Sequence, residues 1–133
     1  MKLKYLIIIV LLIAAGCKKE TTKLRSDVQG TWELVSSDYA WSGHHDYSAG
    51  NGNTFKFNGN TYVQTLKYTD STLQYSGTFT IYKGKPCEIA TEQTLIKFDN
   101  TDPEMFSLSN GVLTIGSTSC VADGGYSTYR KIE

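Results

Sequence analysis

The feature that most constrains the fold of this chain is an Asn-Gly pair that occurs twice between alternating apolar segments, at 58–59 and 110–111. Asn-Gly favours a type I′ turn, because that turn requires a positive φ at both central residues, and so it predicts a two-residue β-hairpin. Folding the first pair in this way places Phe55 opposite Tyr62, and folding the second pair matches apolar residues equally well. The hydrophobic pattern therefore agrees with the hairpin register at both places.

The chain from residue 28 onward consists of short alternating segments with Gly, Asn, Ser and Asp between them. This pattern predicts β-strands, and no stretch after residue 17 has the period of a helix. We predict eight strands, at 31–38, two within 54–68, at 72–82, at 94–98, two within 106–116 and at 126–132. Eight strands joined as sequence neighbours leave two exposed edges unless the sheet closes. The predicted fold is all-β, an eight-stranded antiparallel up-and-down barrel that occupies residues 28–133 as one domain.

The N-terminal segment has the layout of a secretory signal peptide. Lys2 and Lys4 precede an apolar run over residues 5–15, and small residues lead into Cys17. A membrane-spanning helix needs about 20 apolar residues, so this run is too short to span a bilayer. We therefore predict a signal peptide over residues 1–16 that is cleaved before Cys17.

The residues Ile13–Cys17 resemble the lipobox of bacterial lipoproteins, in which a signal peptidase cuts before the cysteine and the thiol carries a diacylglycerol. The resemblance implies that Cys17 is lipidated with fatty acids such as palmitate and that the membrane is a partner of the mature chain. Several acyl chains on one residue make a stable anchor. Lys18 follows the cysteine where some inner-membrane lipoproteins carry Asp, which indicates the outer membrane, on its periplasmic or surface face.

The charge of the chain changes sign after the predicted anchor. Residues 18–25 carry four basic residues and one acidic residue, net +3, whereas residues 26–133 carry 7 basic and 12 acidic residues, net −5. The segment 17–27 is therefore predicted to be a basic tether beside anionic lipid headgroups. An acidic domain without a basic stripe argues against nucleic acid as a partner.

Two cysteines, Cys87 and Cys120, remain in the predicted domain. An even pair in an exported protein usually forms a disulfide, and the chain has no CxxC motif or Cys/His cluster that would favour a metal. In an ideal eight-stranded meander, however, the connections that hold these cysteines lie at opposite ends of the barrel. Either Cys87 lies inside a strand, or the disulfide or the strand count is wrong.

The predicted barrel has a closed end at the two Asn-Gly turns and a loop-rich mouth formed by segments 39–53 and 117–125. An eight-stranded barrel either fills its interior with side chains or holds one small ligand, and both possibilities stay open. The predicted ligand-binding residues are five inward aromatic residues and two aromatic residues that would gate the mouth: Phe55, Phe57, Tyr62, Tyr75, Phe79, Trp41 and Tyr47. In the alternative, a filled barrel serves as a scaffold or interaction module whose envelope protein partner contacts the segment 39–53.

The residues Gly30-Thr31-Trp32, which open the first strand, resemble the Gly-X-Trp signature of lipocalins and lipocalin-like lipoproteins of diderm bacteria. In that family of calycin barrels the Trp packs at the closed end, often under a basic residue from late in the barrel. Arg130 is the matching candidate here and Lys131 is the second. The resemblance implies a membrane-anchored envelope lipoprotein that binds or carries a small apolar ligand.

The sequence contains no enzyme signature: it has no Gly-X-Ser-X-Gly elbow and no phosphate-binding loop. His44, His45 and Asp46 form its one histidine cluster, but adjacent residues of an extended chain point apart and chelate a metal poorly. We interpret this cluster as a solvated loop that can take up protons at mildly acid pH. No catalytic residue, cofactor or metal site is predicted.

Overall fold

The computed structural model describes residues 18–133, so the predicted signal peptide and the lipidation site Cys17 lie outside the described residues. Within this range one helix, α1, covers residues 18–27 and nine strands follow it. The strands are β1 (Gly30–Tyr39), β2 (Gly43–Asp46), β3 (Thr54–Asn58), β4 (Thr61–Lys67), β5 (Thr72–Gly84), β6 (Gln93–Phe98), β7 (Glu104–Ser109), β8 (Val112–Gly116) and β9 (Gly125–Lys131).

Eight of these strands form a closed, all-antiparallel barrel, which confirms the predicted fold. Strands β3 to β9 pair in sequence order, and β1 closes the barrel by pairing with both β3 and β9. The ninth strand, β2, pairs with Ser36–Tyr39 at the mouth end of β1. The predicted loop 39–53 is therefore partly a hairpin, because its first residues fold back onto β1.

The second Asn-Gly turn has the predicted register, whereas the first does not. Asn110 and Gly111 both have positive φ, as a type I′ turn requires, and Leu108 pairs with Leu113 across them. In the first hairpin Phe57, not Phe55, pairs with Tyr62, since Gly59 and Asn60 are the central residues. The shift keeps every side chain on its predicted face because it moves the pairing by an even number of residues.

Gln29 accounts for this displaced turn. Its side-chain oxygen accepts a hydrogen bond from the Gly59 N–H at 2.7 Å, and its amide donates to the Gly59 carbonyl at 3.2 Å. Gly59 has a φ of +63° as the first central residue, the position that a type II′ turn gives to glycine. A residue 30 positions away thus holds the Gly59 peptide.

The predicted disulfide between Cys87 and Cys120 is confirmed, and the predicted number of barrel strands is also correct. Cys87 lies in the β5–β6 connection and Cys120 in the β8–β9 connection. These two connections meet because the strands of a closed barrel are tilted and staggered. Gly116 at the end of β8 pairs with Met105, and Met105 pairs with Leu95 near the start of β6. The end of β8 is therefore level with the beginning of β6, and the connections at the two strand ends lie side by side.

The closed end of the barrel has a dense core that includes the start of the chain. Trp32 is 1% exposed, and its indole N–H donates to the carbonyl of Val28 at 2.6 Å. Val28 is fully buried, and Leu24 of α1 packs against the same core. The predicted tether is thus mostly a docked helix, since ten helical residues span only about 15 Å and are held close to the barrel.

Candidate functional site

The interior of the barrel contains a cavity of about 330 Å³ towards the mouth. Every barrel strand contributes at least one lining side chain, and the β6–β7 connection adds one more. The lining residues are Tyr39, Phe55, Tyr62, Gln64, Tyr75, Phe98, Thr101, Glu104, Ile115, Ser127 and Tyr129. Small-molecule sites are typically concave, about 300–1,000 Å³ in volume and lined by apolar and aromatic groups with a few polar ones. The cavity has this composition and lies at the small end of that range.

A group of packed aromatic rings forms the floor of the cavity. Phe55 stacks on Phe98 with ring centroids 5.4 Å apart, and Tyr62 meets the edge of Phe98 at 4.7 Å. Tyr129 packs edge-on against Phe55 at 5.5 Å. Offset and edge-to-face arrangements of this kind are favourable because of the ring quadrupoles, so these four rings stabilise one another.

A carboxylate near the floor fixes one of these rings. The Tyr62 hydroxyl donates to Asp99 at 3.3 Å, and Asp99 in turn accepts from the Thr78 N–H at 2.7 Å. The Thr78 hydrogen bond holds the pKa of Asp99 below its usual value, whereas burial and the nearby Asp99 raise the pKa of Tyr62. Gly77 leaves room for this arrangement, because a Cβ at that position would lie 2.0 Å from an Asp99 carboxylate oxygen.

Glu104 is the acidic group inside the cavity. It alternates with Phe106 along β7, so both side chains point into the barrel. Burial raises the pKa of the Glu104 carboxyl, and its charge contributes to the raised pKa values of Tyr62 and Tyr129. Among residues 18–133 the Glu104 carboxyl has neither a hydrogen bond nor an ion pair with another group.

Three of the predicted ligand-binding residues line the cavity, namely Phe55, Tyr62 and Tyr75. Phe57 and Phe79 do not reach it; they pack against each other in the closed end, with ring centroids 4.9 Å apart. The barrel interior is therefore filled with side chains at the closed end and contains a cavity towards the mouth. Each of the two alternatives that the sequence left open, a filled barrel and a ligand cavity, describes one half of the barrel.

The two predicted gating residues lie outside the cavity lining. Trp41 is 80% exposed in the turn between β1 and β2, where its ring is 6.2 Å from that of Tyr39. Tyr47 follows β2, and its hydroxyl is 3.4 Å from the Ser37 hydroxyl. Tyr39, the last residue of β1, occupies the rim instead.

Sequence reasoning missed Glu104, Gln64 and Tyr129. The alternation of β7 would have found Glu104, because it lies two residues before the inward-facing Phe106. Gln64 would have been found in the same way, because it lies two residues after the inward-facing Tyr62 on β4. Polar side chains at inward positions are the relevant signal, since a residue facing a packed core would be apolar.

The Gly-X-Trp residues occupy the closed end, and the assignment of the basic partner needs correction. The Lys131 ammonium lies 5.6 Å from the centroid of the Trp32 ring, whereas Arg130 pairs with the buried Glu33 on the neighbouring strand. The reason is register: Lys131 is directly opposite Trp32 and shares its face. Gly30 has a φ of +112°, and a Cβ there would meet the carbonyl oxygen of Glu133.

The histidine cluster is an exposed ion-paired site on the β1–β2 hairpin. His44 lies between two carboxylates, with Nδ1 2.7 Å from Asp38 and Nε2 3.1 Å from Asp46. The Asp38 hydrogen bond, followed by that of Asp46, raises the pKa of His44 above its ordinary value. His45 contacts the backbone carbonyl of Ser42 instead. In residues 18–133 no group of three or more His, Cys, Asp and Glu side chains could hold a metal ion.

A larger concavity, about 500 Å³, lies on the outer surface between β6, β7 and the connection 117–124. Its wall includes the outward-facing Met105 and Ser107 and the half-exposed Val121. We regard the barrel cavity as the candidate site, because it combines packed aromatic rings with an inward carboxyl. The outer concavity lacks both features.

No protein-family model, curated protein or solved structure matches this chain. Among residues 18–133 there is no helix with the length and hydrophobicity needed to cross a membrane.

Proposed function

We propose that this protein is a lipocalin-like envelope lipoprotein that binds or carries a small, mainly apolar molecule in the barrel cavity. The observation that carries the proposal is the aromatic-lined cavity of about 330 Å³, to which all eight barrel strands contribute. A barrel whose only task was structural would gain stability by filling this space, because cavities in protein interiors are destabilising. The role we propose is binding and not catalysis.

The binding site can be tested with two exposed tyrosines of the same hairpin. Tyr75 is 50% exposed and lines the cavity, whereas Tyr68 is 54% exposed and does not. Native mass spectrometry of the purified protein should reveal a co-purified molecule that is lost on denaturation. We expect Tyr75→Ala to reduce its occupancy several-fold and Tyr68→Ala to leave it unchanged. Equal occupancy in both variants, or a bare protein that binds no apolar probe, would contradict the proposal.

The membrane anchor is the second part of the proposal, and it is supported by the lipobox-like residues Ile13–Cys17. We expect the wild-type protein to incorporate labelled palmitate and to partition into detergent, and Cys17→Ser to lose the label. A matched control is the Cys87→Ser/Cys120→Ser form, which should keep the label. Wild type that takes up no label, or Cys17→Ser protein that keeps the label and is still cleaved and membrane-bound, would refute the lipoprotein assignment.

A protein-interaction module is the second candidate function, and the exposure of Trp41 favours it. A Trp side chain that is 80% exposed at the tip of a hairpin resembles the aromatic anchors enriched at protein interfaces. A pull-down from envelope extracts with wild type and Trp41→Ser tests this candidate. Identical recovery with both baits would remove the observation that favours it.

A further inference from the structure

The charge inside the cavity has one sign. Among the described residues that line it, Glu104 is the only one with an ionisable acid or base other than tyrosine, and none is Lys, Arg or His. A second carboxylate, that of Asp99, accepts a hydrogen bond from the hydroxyl of the lining residue Tyr62. The cavity therefore offers negative charge and no positive charge.

The Glu104 carboxyl is partly buried and has no hydrogen-bond or ion-pair partner among residues 18–133. A buried charge is costly unless it is paired, and proteins usually pair it with a cation or with several donors. Nothing in residues 18–133 pairs with Glu104. Burial raises the pKa of this carboxyl because it disfavours the charged form, and a bound cation would offset that cost.

Aromatic rings surround the same space. Phe55, Tyr62, Phe98 and Tyr129 pack together in the lining that Glu104 shares, and Tyr39 and Tyr75 add two more rings to it. The face of an aromatic ring carries partial negative charge and attracts ammonium groups, most strongly where water is excluded. Rings and carboxylate thus favour the same kind of ligand.

We propose that the ligand of this cavity is a small organic cation, an ammonium group on an aromatic or apolar body, which pairs with Glu104 while the body lies on the aromatic floor. This inference rests on the proposed binding function and adds the chemical class of the ligand. The alternative occupant is a neutral molecule with a carbonyl group, to which a protonated Glu104 would donate a hydrogen bond.

The test compares probes that differ in one group. Isothermal titration calorimetry at pH 7.5 would use 2-phenylethylamine against 2-phenylethanol and tryptamine against the corresponding indole alcohol. The protein is the full mature chain in detergent, in wild-type, Glu104→Gln and Glu88→Gln forms. Glu88 is exposed in the β5–β6 connection and lies outside the cavity, so Glu88→Gln is the matched control.

We expect each amine to bind wild type and Glu88→Gln about tenfold more tightly than its alcohol, a ratio that corresponds to about 1.4 kcal/mol. Glu104→Gln should abolish this preference and keep alcohol binding, because the glutamine preserves shape and removes charge. Thermal unfolding of each variant verifies that it is folded. Alcohols that bind as well as amines, or a preference that survives in Glu104→Gln, would overturn the inference and leave the proposed function intact. No binding of any probe to wild type would count against the proposed function itself.

The pH dependence gives a second readout. The tyrosines that face Glu104, Tyr62 and Tyr129, have raised pKa values and stay neutral below pH 8, while Asp99 has a lowered pKa and stays ionised. Burial raises the pKa of Glu104, so among these groups Glu104 takes up a proton first as the pH falls. Amine affinity should therefore fall on acidification in wild type and stay flat in Glu104→Gln. A flat wild-type profile would contradict pairing with Glu104.

Discussion

The disulfide between Cys87 and Cys120 should contribute a large part of the stability of this barrel. It closes a loop with a sequence separation of 33 residues, which contains β6, β7 and β8. In the chain-entropy model, cross-linking a loop of this length removes about 12.5 cal/mol/K from the unfolded state, or about 3.7 kcal/mol at 25 °C. For a domain of this size, such a loss lowers the melting temperature by roughly 15 °C.

The perturbation is the double substitution Cys87→Ser/Cys120→Ser, measured by urea unfolding at equilibrium. We expect a decrease of about 3–4 kcal/mol in the free energy of unfolding, with a cooperative transition retained because the barrel pairing does not involve the disulfide. Wild type reduced with a phosphine should give the same value. Gln93→Ala is the matched control, because it removes the 3.3 Å hydrogen bond to Ser119 beside the bridge and leaves the covalent link intact.

The result that refutes this reasoning is a double variant within about 1 kcal/mol of wild type. It would mean that the unfolded chain already holds these segments close together, so that the cross-link removes little entropy. A variant that lost cooperativity would instead show that the bridge holds the staggered connections in place. Loss of cooperativity would therefore contradict the entropic account as well.

Three further predictions concern individual side chains. Gly77→Ala should lower the melting temperature, because the new Cβ displaces the Asp99 carboxylate. In an Asp99→Ala background, Gly77→Ala should lower the melting temperature by less. Additive effects of the two substitutions would show that there is no clash. Phe79→Ala should cost about 3–5 kcal/mol by urea unfolding, since the ring is 1% exposed in the closed end, while ligand binding in the folded fraction persists. His44 has a raised pKa in the folded state, so its contribution to stability is complete below its unfolded pKa and is lost as the pH rises through the folded value. The melting-temperature difference between wild type and His44→Gln should thus be larger at pH 5.5 than at pH 8.5, and a constant difference would mean that the ion pairs add nothing.

The strands and their faces could be read from the sequence because they depend on neighbours along the chain. Alternation placed Phe55, Phe57 and Tyr62 on one face, and they do face the interior. The same rule places Tyr75 inward, where it lines the cavity, but Tyr75 and Leu73 on the same face of β5 remain about half exposed. The first half of β5 pairs with β4 and not with β6. Side chains that point inward from this half are therefore not covered by a neighbouring strand on that side.

The helix α1 was missed because its stability is tertiary. Short helices are marginal in water without packing. Here Leu24 packs against the barrel core, and Glu20 pairs with Lys83 at 3.1 Å. Both the barrel core and Lys83 are distant from α1 in the sequence. Residues 18–27 taken alone therefore show only the composition of a charged tether.

The sequence by itself determined the barrel, the closed end with Trp32 and the pairing of the two cysteines, because turn chemistry, alternation and cysteine count are local or compositional properties. Only the tertiary structure decided which half of the barrel is filled, which cation lies over Trp32 and where Glu104 points. Those features depend on the stagger between strands, which sets the neighbours of a side chain across the barrel. Stagger results from closing the sheet as a whole, and no single segment of the chain encodes it.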